Sequence, residues 1–314
     1  MDYGSLSFTI IVYYVFNISI DYPKCRNVLL VLLSDIHATN IILMSIQSIY
    51  KSFGNNSSLL YAWGEVMHTR LDLLLCNGRK EDLKAIAKYA YEEIKRIEKI
   101  GNCFDMESEL SLVNEEAAKH VVTLSDDLFD IVNQCINFHK RSYGYFDVTV
   151  ASKNHNADFI SSIHLDAENR TMFFGEQSLK INLSGFLKGY ALDKLRPIVL
   201  QNGITDALLN MGNSSVMALG KHPYGEGWKL SQFLPNTSIP EVTLFDECLS
   251  TSGNESQERR HIIDPHSGKL VEGEASISVI TPGAAEGEAL STALFAAPIK
   301  MREKIESAFR ISES

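Results

Sequence analysis

Apolar residues recur at helical spacing over several long stretches. Between residues 81 and 100, Leu83, Ile86, Ala87, Ala90, Ile94 and Ile97 fall on one face, and Gly101 supplies a stop signal. Ser125, followed by Asp126 and Asp127, predicts a second helix start, because acidic side chains suit the positive end of the helix dipole. Its core face is Leu128, Ile131, Val132, Cys135 and Ile136, with Gly144 just past its end. A third helix is expected over 185–201, kinked or interrupted at Pro197, and a last one over 286–297, closed by Pro298. Short apolar or alternating runs predict strands at 69–76, 162–165, 171–174, 179–183, 207–211, 216–219, 228–230 and 276–281. The mixture reads as an α+β body with a mostly antiparallel sheet and packed helices. No Gly-x-Gly-x-x-Gly loop follows a strand, so a dinucleotide fold of that type is not expected.

Residues 1–58 break this pattern. Residues 6–20 form a nearly uncharged apolar run, and residues 27–49 a second one interrupted by Asp35 and His37. Two readings stand: a membrane-associated hairpin, or an irregular extension from an upstream start. Asp2 is the sole charge before the first run, which is unlike a signal peptide, and no lipoprotein cysteine follows a small-residue cleavage site. Gly54-Asn55-Asn56-Ser57-Ser58 reads as a linker to the folded body.

Composition narrows the function classes. The chain has 314 residues with 45% hydrophobic and 22% charged positions, ordinary values for a globular protein. A net charge of -10 without a basic stripe argues against nucleic acid as a partner. Five scattered cysteines without a Cys-x-x-Cys pair favour small apolar core residues in a reducing, cytoplasmic setting; the cell envelope is the alternative if residues 1–58 meet a membrane.

Several short patterns carry candidate chemistry. Glu288 and Thr292 stand one helical turn apart, opposite Leu290, Leu294 and Ala297, and offer two hard oxygens to one point. Taken alone, such a pair is more commonly part of a solvated polar face. In Asn182-Leu-Ser-Gly185-Phe-Leu-Lys188, a strand end, a tight turn and a helix start would give free N–H groups and a lysine for phosphate. Asn210-Met-Gly-Asn213 and Leu249-Ser-Thr-Ser-Gly253 read as polar turns. His261-Ile-Ile-Asp-Pro265 joins a histidine to a proline turn, and Ser142-Tyr-Gly-Tyr-Phe146-Asp-Val-Thr149 is an aromatic cluster before a β-like run.

Each piece is common, but their order is not. Met67-His-Thr69, Ser108-Glu-Leu-Ser-Leu-Val-Asn114, Gly144-Tyr-Phe-Asp147-Val-Thr, Ser184-Gly-Phe-Leu-Lys188-Gly-Tyr-Ala-Leu-Asp193, Asn210-Met-Gly-Asn213, Thr251-Ser-Gly253, His261-Ile-Ile-Asp-Pro265 and Glu288-Ala-Leu-Ser-Thr292 occur in sequence. The series resembles the FAD:protein FMN transferase (ApbE) family over residues 61–300. The resemblance implies a T-fold-like α+β domain over 59–314 with a cleft for FAD. It also implies Mg²⁺, an acceptor protein with a Ser or Thr to be flavinylated, and release of AMP. Met67, Phe104, Gly144, Tyr145, Asn182, Lys188 and Ile262 would line the flavin-nucleotide site. Gly185, Glu288 and Thr292 would hold the metal, and Glu288, Lys188 and His261 are the implied catalytic residues.

The chain departs from the family pattern at defined positions. Glu288 and Asn182 stand where Asp is usual, and His68 where Gly is usual. The first change moves a carboxylate by one methylene, and the second removes a charge near the phosphates. Two alternatives therefore accompany the transferase: a non-catalytic FAD binder and a FAD pyrophosphatase.

Overall fold

The computed structural model describes residues 46–54, 57–223, 225–230, 233–234, 237–238, 242–254, 261–273 and 276–310. The expected apolar run at 6–20 lies outside them, as does the run at 27–49 up to residue 45, while its end falls in a strand over Gln47–Gly54. Among the described residues, no helix is long and apolar enough to cross a membrane. The chain divides into two compact units: residues up to Tyr91 with Arg196–Glu247, and Glu92–Leu195 with Cys248 onward.

The first unit is built on antiparallel strands in the order β1 (Gln47–Gly54), β2 (Ser57–Val66), β3 (Thr69–Cys76), β7 (Ala207–Met211) and β8 (Ser215–Leu219). The residues on either side of the expected linker are paired strands, since Gln47–Gly54 is tied to β2 from Gln47↔Trp63 to Gly54↔Ser57, with a register shift between Ser52 and Gly54. Between β2 and β3 the chain turns on Met67 and His68, both in the left-handed region at φ 48° and 56°. That two-residue geometry matches strand twist and is ordinarily given to Gly or Asn. His68 therefore occupies a backbone that glycine would hold without strain. Strand β3 is buried continuously from Leu71 to Cys76 rather than alternating. Asp72 is tolerated there because the Tyr61 hydroxyl donates to it at 2.6 Å and Arg70 Nε at 2.8 Å. The motif Asn210–Asn213 is the β7–β8 turn, closed by Asn213 N–H donating to the Asn210 side chain at 3.0 Å.

Short strands β9 (Trp228–Leu230) and β12 (Val242–Leu244) pair beside this sheet in sequence. The fragments Phe233–Leu234 (β10) and Thr237–Ser238 (β11) pair with each other. Trp228 is buried, donates to the Leu219 carbonyl at 3.0 Å, and meets His222 edge-on at 5.3 Å. Burial pushes the His222 imidazole down from 6.5 to about 4. A histidine held neutral contributes stability that is complete above its unfolded pKa and is lost as pH falls from there toward the folded value. Stability to urea should accordingly fall by roughly 1–2 kcal/mol between pH 7.5 and pH 5. A His222→Phe variant should lose most of that slope.

The second unit holds the C-terminal part of α1 (Lys80–Gly101), most of α4 (Leu187–Gln201), and all of α2 (Glu109–Glu116), α3 (Asp126–Arg141), α5 (Ala284–Ala296) and α6 (Ile299–Arg310). The sheet β4 (Val122–Thr123), β6 (Thr171–Phe174), β5 (Ile163–Asp166) lies in that spatial order, and β14 (Ile263–Asp264) pairs with β15 (Lys269–Leu270). Ser125 caps α3 as expected, accepting from Leu128 N–H at 3.2 Å. Helix α4 runs through Pro197 without ending.

Three expectations change here. Residues 179–183 are not a strand, because side chains satisfy their backbone: Asn114 accepts from Ile181 N–H at 2.7 Å and donates to its carbonyl at 2.9 Å. The stretch after Phe146 is a set of turns, in which Asp147 accepts from Thr149 N–H at 2.7 Å. Leu249–Gly253 is not a turn but lies in strand β13 (Cys248–Gly253), paired antiparallel with β16 (Ser276–Thr281).

Candidate active site

Helix α5 lies against β13 and β16, and it is buried nearly all round. The expected solvated face is absent: Glu288 is 4% exposed and Ser291 fully buried. Two glycines permit the close packing. A Cβ on Gly189 of α4 would lie 2.4 Å from the Ala284 carbonyl oxygen. One on Gly287 would lie 2.6 Å from Ser250 Oγ and 2.7 Å from Thr281 Oγ1.

The N-terminus of α5 has no cap of its own, since Gly283 precedes it. Asp193, from α4, fills that role. Its carboxylate accepts from Ala284 N–H at 2.8 Å and Ala285 N–H at 2.9 Å. Arg141 ties the same first turn to α3 and α6, donating to Glu286 at 2.6 Å and to the Phe309 carbonyl at 2.9 Å. Asp193→Ala should cost about 1–2 kcal/mol, the usual value of a helix cap, read as a shift in urea midpoint. Asp193 was part of an ordered motif, yet its partner lies 91 residues away, so no local signal announced the cap.

At one end of this scaffold four of the expected residues meet. Lys188 Nζ lies 3.2 Å from Glu288 Oε1, with side chains 19% and 5% exposed. Thr292 follows Glu288 by one turn, and a Cβ on Gly185 would sit 3.9 Å from Thr292 Oγ1. A carboxylate and a hydroxyl are therefore grouped, with the Gly185 backbone close by, beside one ammonium. Among the described residues, no group of three or more His, Cys, Asp or Glu side chains is placed to hold a metal. A hard cation that keeps several waters needs no such group, and these oxygen donors fit it. The Lys188 ammonium neutralises the carboxylate meanwhile.

Other expected residues form a second group. Ile262 is buried with Phe295 and Ala296 of α5, and Tyr145 packs on them. Tyr145 also meets the His266 ring at 4.4 Å, and its phenol is raised by partial burial and by Asp264. Gly144 is left-handed at φ 85°, where an added Cβ would approach His266 Nε2 to 3.2 Å. Asn182 anchors the loop before α4: its N–H donates to the Val148 carbonyl at 2.8 Å, and its side chain accepts from Ser184 N–H at 2.9 Å. Asparagine thus keeps the acceptor role that aspartate would have there. His261 is exposed, and Phe104, on the loop after α1, is 71% exposed. Met67 lies in the first unit, at the β2–β3 turn.

Two features were not expected from the sequence. Asp147 is a buried carboxylate bonded to His155 Nε2 at 3.0 Å and to Thr149. A groove of about 230 Å³ runs beside Ile280, Leu290, Leu294 and Phe309, and none of the candidate residues lines it.

An α+β fold that brings a lysine at the start of one helix to a carboxylate and a hydroxyl on another offers groups of the kind that a phosphorylated ligand needs. The ApbE family model matches residues 67–310, and the chain belongs to that family. The FAD:protein FMN transferase of Chlamydia pneumoniae is 26% identical over 241 residues, covering 67% of this chain and 75% of the relative. That of Klebsiella pneumoniae (strain 342) is 24% identical over 271 residues, covering 72% and 82%. The fold is that of Flavin Transferase ApbE from Vibrio cholerae, with a TM-score of 0.70 at 18% identity over 80% of this chain and 91% of that one. It is equally like the ApbE protein from Thermotoga maritima, with a TM-score of 0.70 at 22% identity over 81% and 92%.

Proposed function

We propose that this chain is a Mg²⁺-dependent FAD:protein FMN transferase that attaches FMN to a Ser or Thr of an acceptor protein and releases AMP. The observation that carries the reading is the meeting of Gly185, Lys188, Glu288 and Thr292 in a member of the ApbE family. Glu288, Thr292 and the Gly185 carbonyl would hold Mg²⁺, which supplies charge neutralisation at pyrophosphate oxygens.

The protein's own groups then have distinct tasks. Lys188 pairs with Glu288 at 3.2 Å and can turn to a phosphate oxygen when FAD enters. Tyr145 and Ile262 offer an apolar wall, and Phe104 an exposed ring face for a flat heterocycle. Asn182 holds the loop that carries Gly185. In the transfer, the acceptor hydroxyl oxygen bonds to the FMN phosphorus and the bond from that phosphorus to the AMP oxygen breaks. The hydroxyl proton passes to a base, for which the exposed His261 imidazole is assigned, and AMP leaves with the bonding pair. Phosphoryl transfers of this kind rest on positioning and charge more than on covalent help from the protein.

The Lys188–Glu288 contact favours a second reading, a FAD-binding protein without transfer, because a carboxylate already paired has less to offer a cation. Calorimetric titration with FAD, with and without Mg²⁺, separates the two. Tighter binding with Mg²⁺ supports the transferase, and binding indifferent to Mg²⁺ supports the binder. AMP with free FMN, in place of a labelled acceptor, would identify a pyrophosphatase.

A further inference from the structure

The candidate cation site is backed by a chain of hydroxyls whose direction can be worked out by counting protons. Ser291 Oγ lies 3.3 Å from the Glu288 carbonyl. Ser252 Oγ lies 2.9 Å from Ser291 Oγ and 3.0 Å from Thr292 Oγ1. A carbonyl oxygen only accepts, and each hydroxyl has one hydrogen to give. The Ser291 hydrogen is therefore spent on the carbonyl, so Ser252 must donate to Ser291. With its own hydrogen spent, Ser252 can only accept from Thr292. Thr292 is thereby left with lone pairs alone on its remaining side.

That polarity is what a cation ligand requires. A threonine whose hydrogen pointed outward would first have to turn away from the cation, at the expense of whatever it was bonded to. Ser291 is fully buried and Ser252 is 9% exposed, so water has little opportunity to re-route the chain. The placement follows from strand alternation. Ser250 and Ser252 of β13 face α5, whereas Thr251 lies between them and meets Ser278 at 2.8 Å. Gly287, without a Cβ, lets the helix come close enough for short hydroxyls to reach across.

Resting on the cation site proposed above, we infer that Ser252, working through Ser291, is a positioning residue that presets Thr292 as an acceptor toward the cation. Ser252 need not touch the cation or the substrate. The outer partners of a metal ligand commonly govern affinity in this way.

The test uses the purified full chain with FAD present, Mn²⁺ as the cation probe, and electron paramagnetic resonance to count free Mn²⁺. Ser252→Ala should weaken Mn²⁺ binding roughly ten- to a hundredfold. Thr292→Val should do the same, and the double variant should lose no more than Thr292→Val alone, because both act on one ligand. FAD affinity without metal should stay at the wild-type value in Ser252→Ala. Ser250→Ala is the control for packing: its Oγ is buried without a hydrogen-bond partner among the described residues, on the same face of the strand, and its loss should leave Mn²⁺ affinity unchanged. Wild-type affinity in Ser252→Ala beside a loss in Thr292→Val would overturn the relay and leave the cation site standing. Equal losses in Ser250→Ala and Ser252→Ala would also overturn it, as a packing effect. No Mn²⁺ binding by the wild type would overturn the cation site itself, and the relay's role with it.

Discussion

Replacing Glu288 with glutamine should lower Mg²⁺-dependent AMP release from FAD by at least about a hundredfold while the chain stays folded. Glutamine keeps the shape of the side chain and removes its charge, which is the only anionic contribution in the grouping of Gly185, Glu288 and Thr292. A hard cation with one protein carboxylate depends on it heavily. The change also removes the negative charge 3.2 Å from the Lys188 ammonium. Lys188 is 19% exposed at its side chain, so it can find water, and the stability loss should stay below the 3–5 kcal/mol typical of a fully buried broken pair. Glu288→Asp separates charge from reach. It keeps the carboxylate, withdraws it by one methylene from Lys188, and should retain measurable AMP release. Rates at saturating FAD over a Mg²⁺ series, with circular dichroism as the folding check, read out both variants. Undiminished activity in Glu288→Gln would remove Glu288 from the mechanism.

The second large effect is on stability. In a helix interior, Gly→Ala ordinarily stabilises by up to about 1 kcal/mol. At Gly189 the sign should reverse. The added Cβ would lie 2.4 Å from the Ala284 carbonyl oxygen, 2.6 Å from its carbon and 2.8 Å from Ala285 Cα. These are backbone atoms, and Asp193 holds the same two residues by their N–H groups, so they cannot swing aside. Gly189→Ala should therefore destabilise by about 3 kcal/mol, the upper range for overpacking. It should also weaken cation binding, because α5 carries Glu288 and Thr292. Urea unfolding decides the matter: a raised midpoint would mean that α4 and α5 are not in backbone contact.

The amphipathic helices were legible because one face met the core and one met water. Residues 81–100 and the Ser125 cap correspond to α1 and α3 within a residue or two. Helix α5 was legible as a helix but not as a buried one, since Glu288 and Thr292 mimic a solvated stripe until Lys188 and Ser252 are placed against them. Strand β13 was hidden for a related reason. Its serines look like turn residues, and they are buried only where partners 39 and 40 residues away, or tight packing under Gly287, accommodate them. The run 179–183 misled in the other direction, because a side-chain amide can satisfy a strand-like backbone as well as a neighbouring strand does. The one-turn spacing of Glu288 and Thr292 was visible in the sequence, but only the ordered motifs made it a candidate site; the hydroxyl chain behind Thr292 needed the packing of α5 on β13.

The central claim is that FAD is cleaved at its pyrophosphate and the FMN half is moved to a protein hydroxyl. The most direct measurement incubates the full chain with FAD, Mg²⁺ and an acceptor protein of a related transferase, and quantifies AMP and acceptor-attached flavin in the same samples. The account predicts both products in equal amounts, both abolished by chelator. Bound FAD with neither AMP nor labelled acceptor would contradict it.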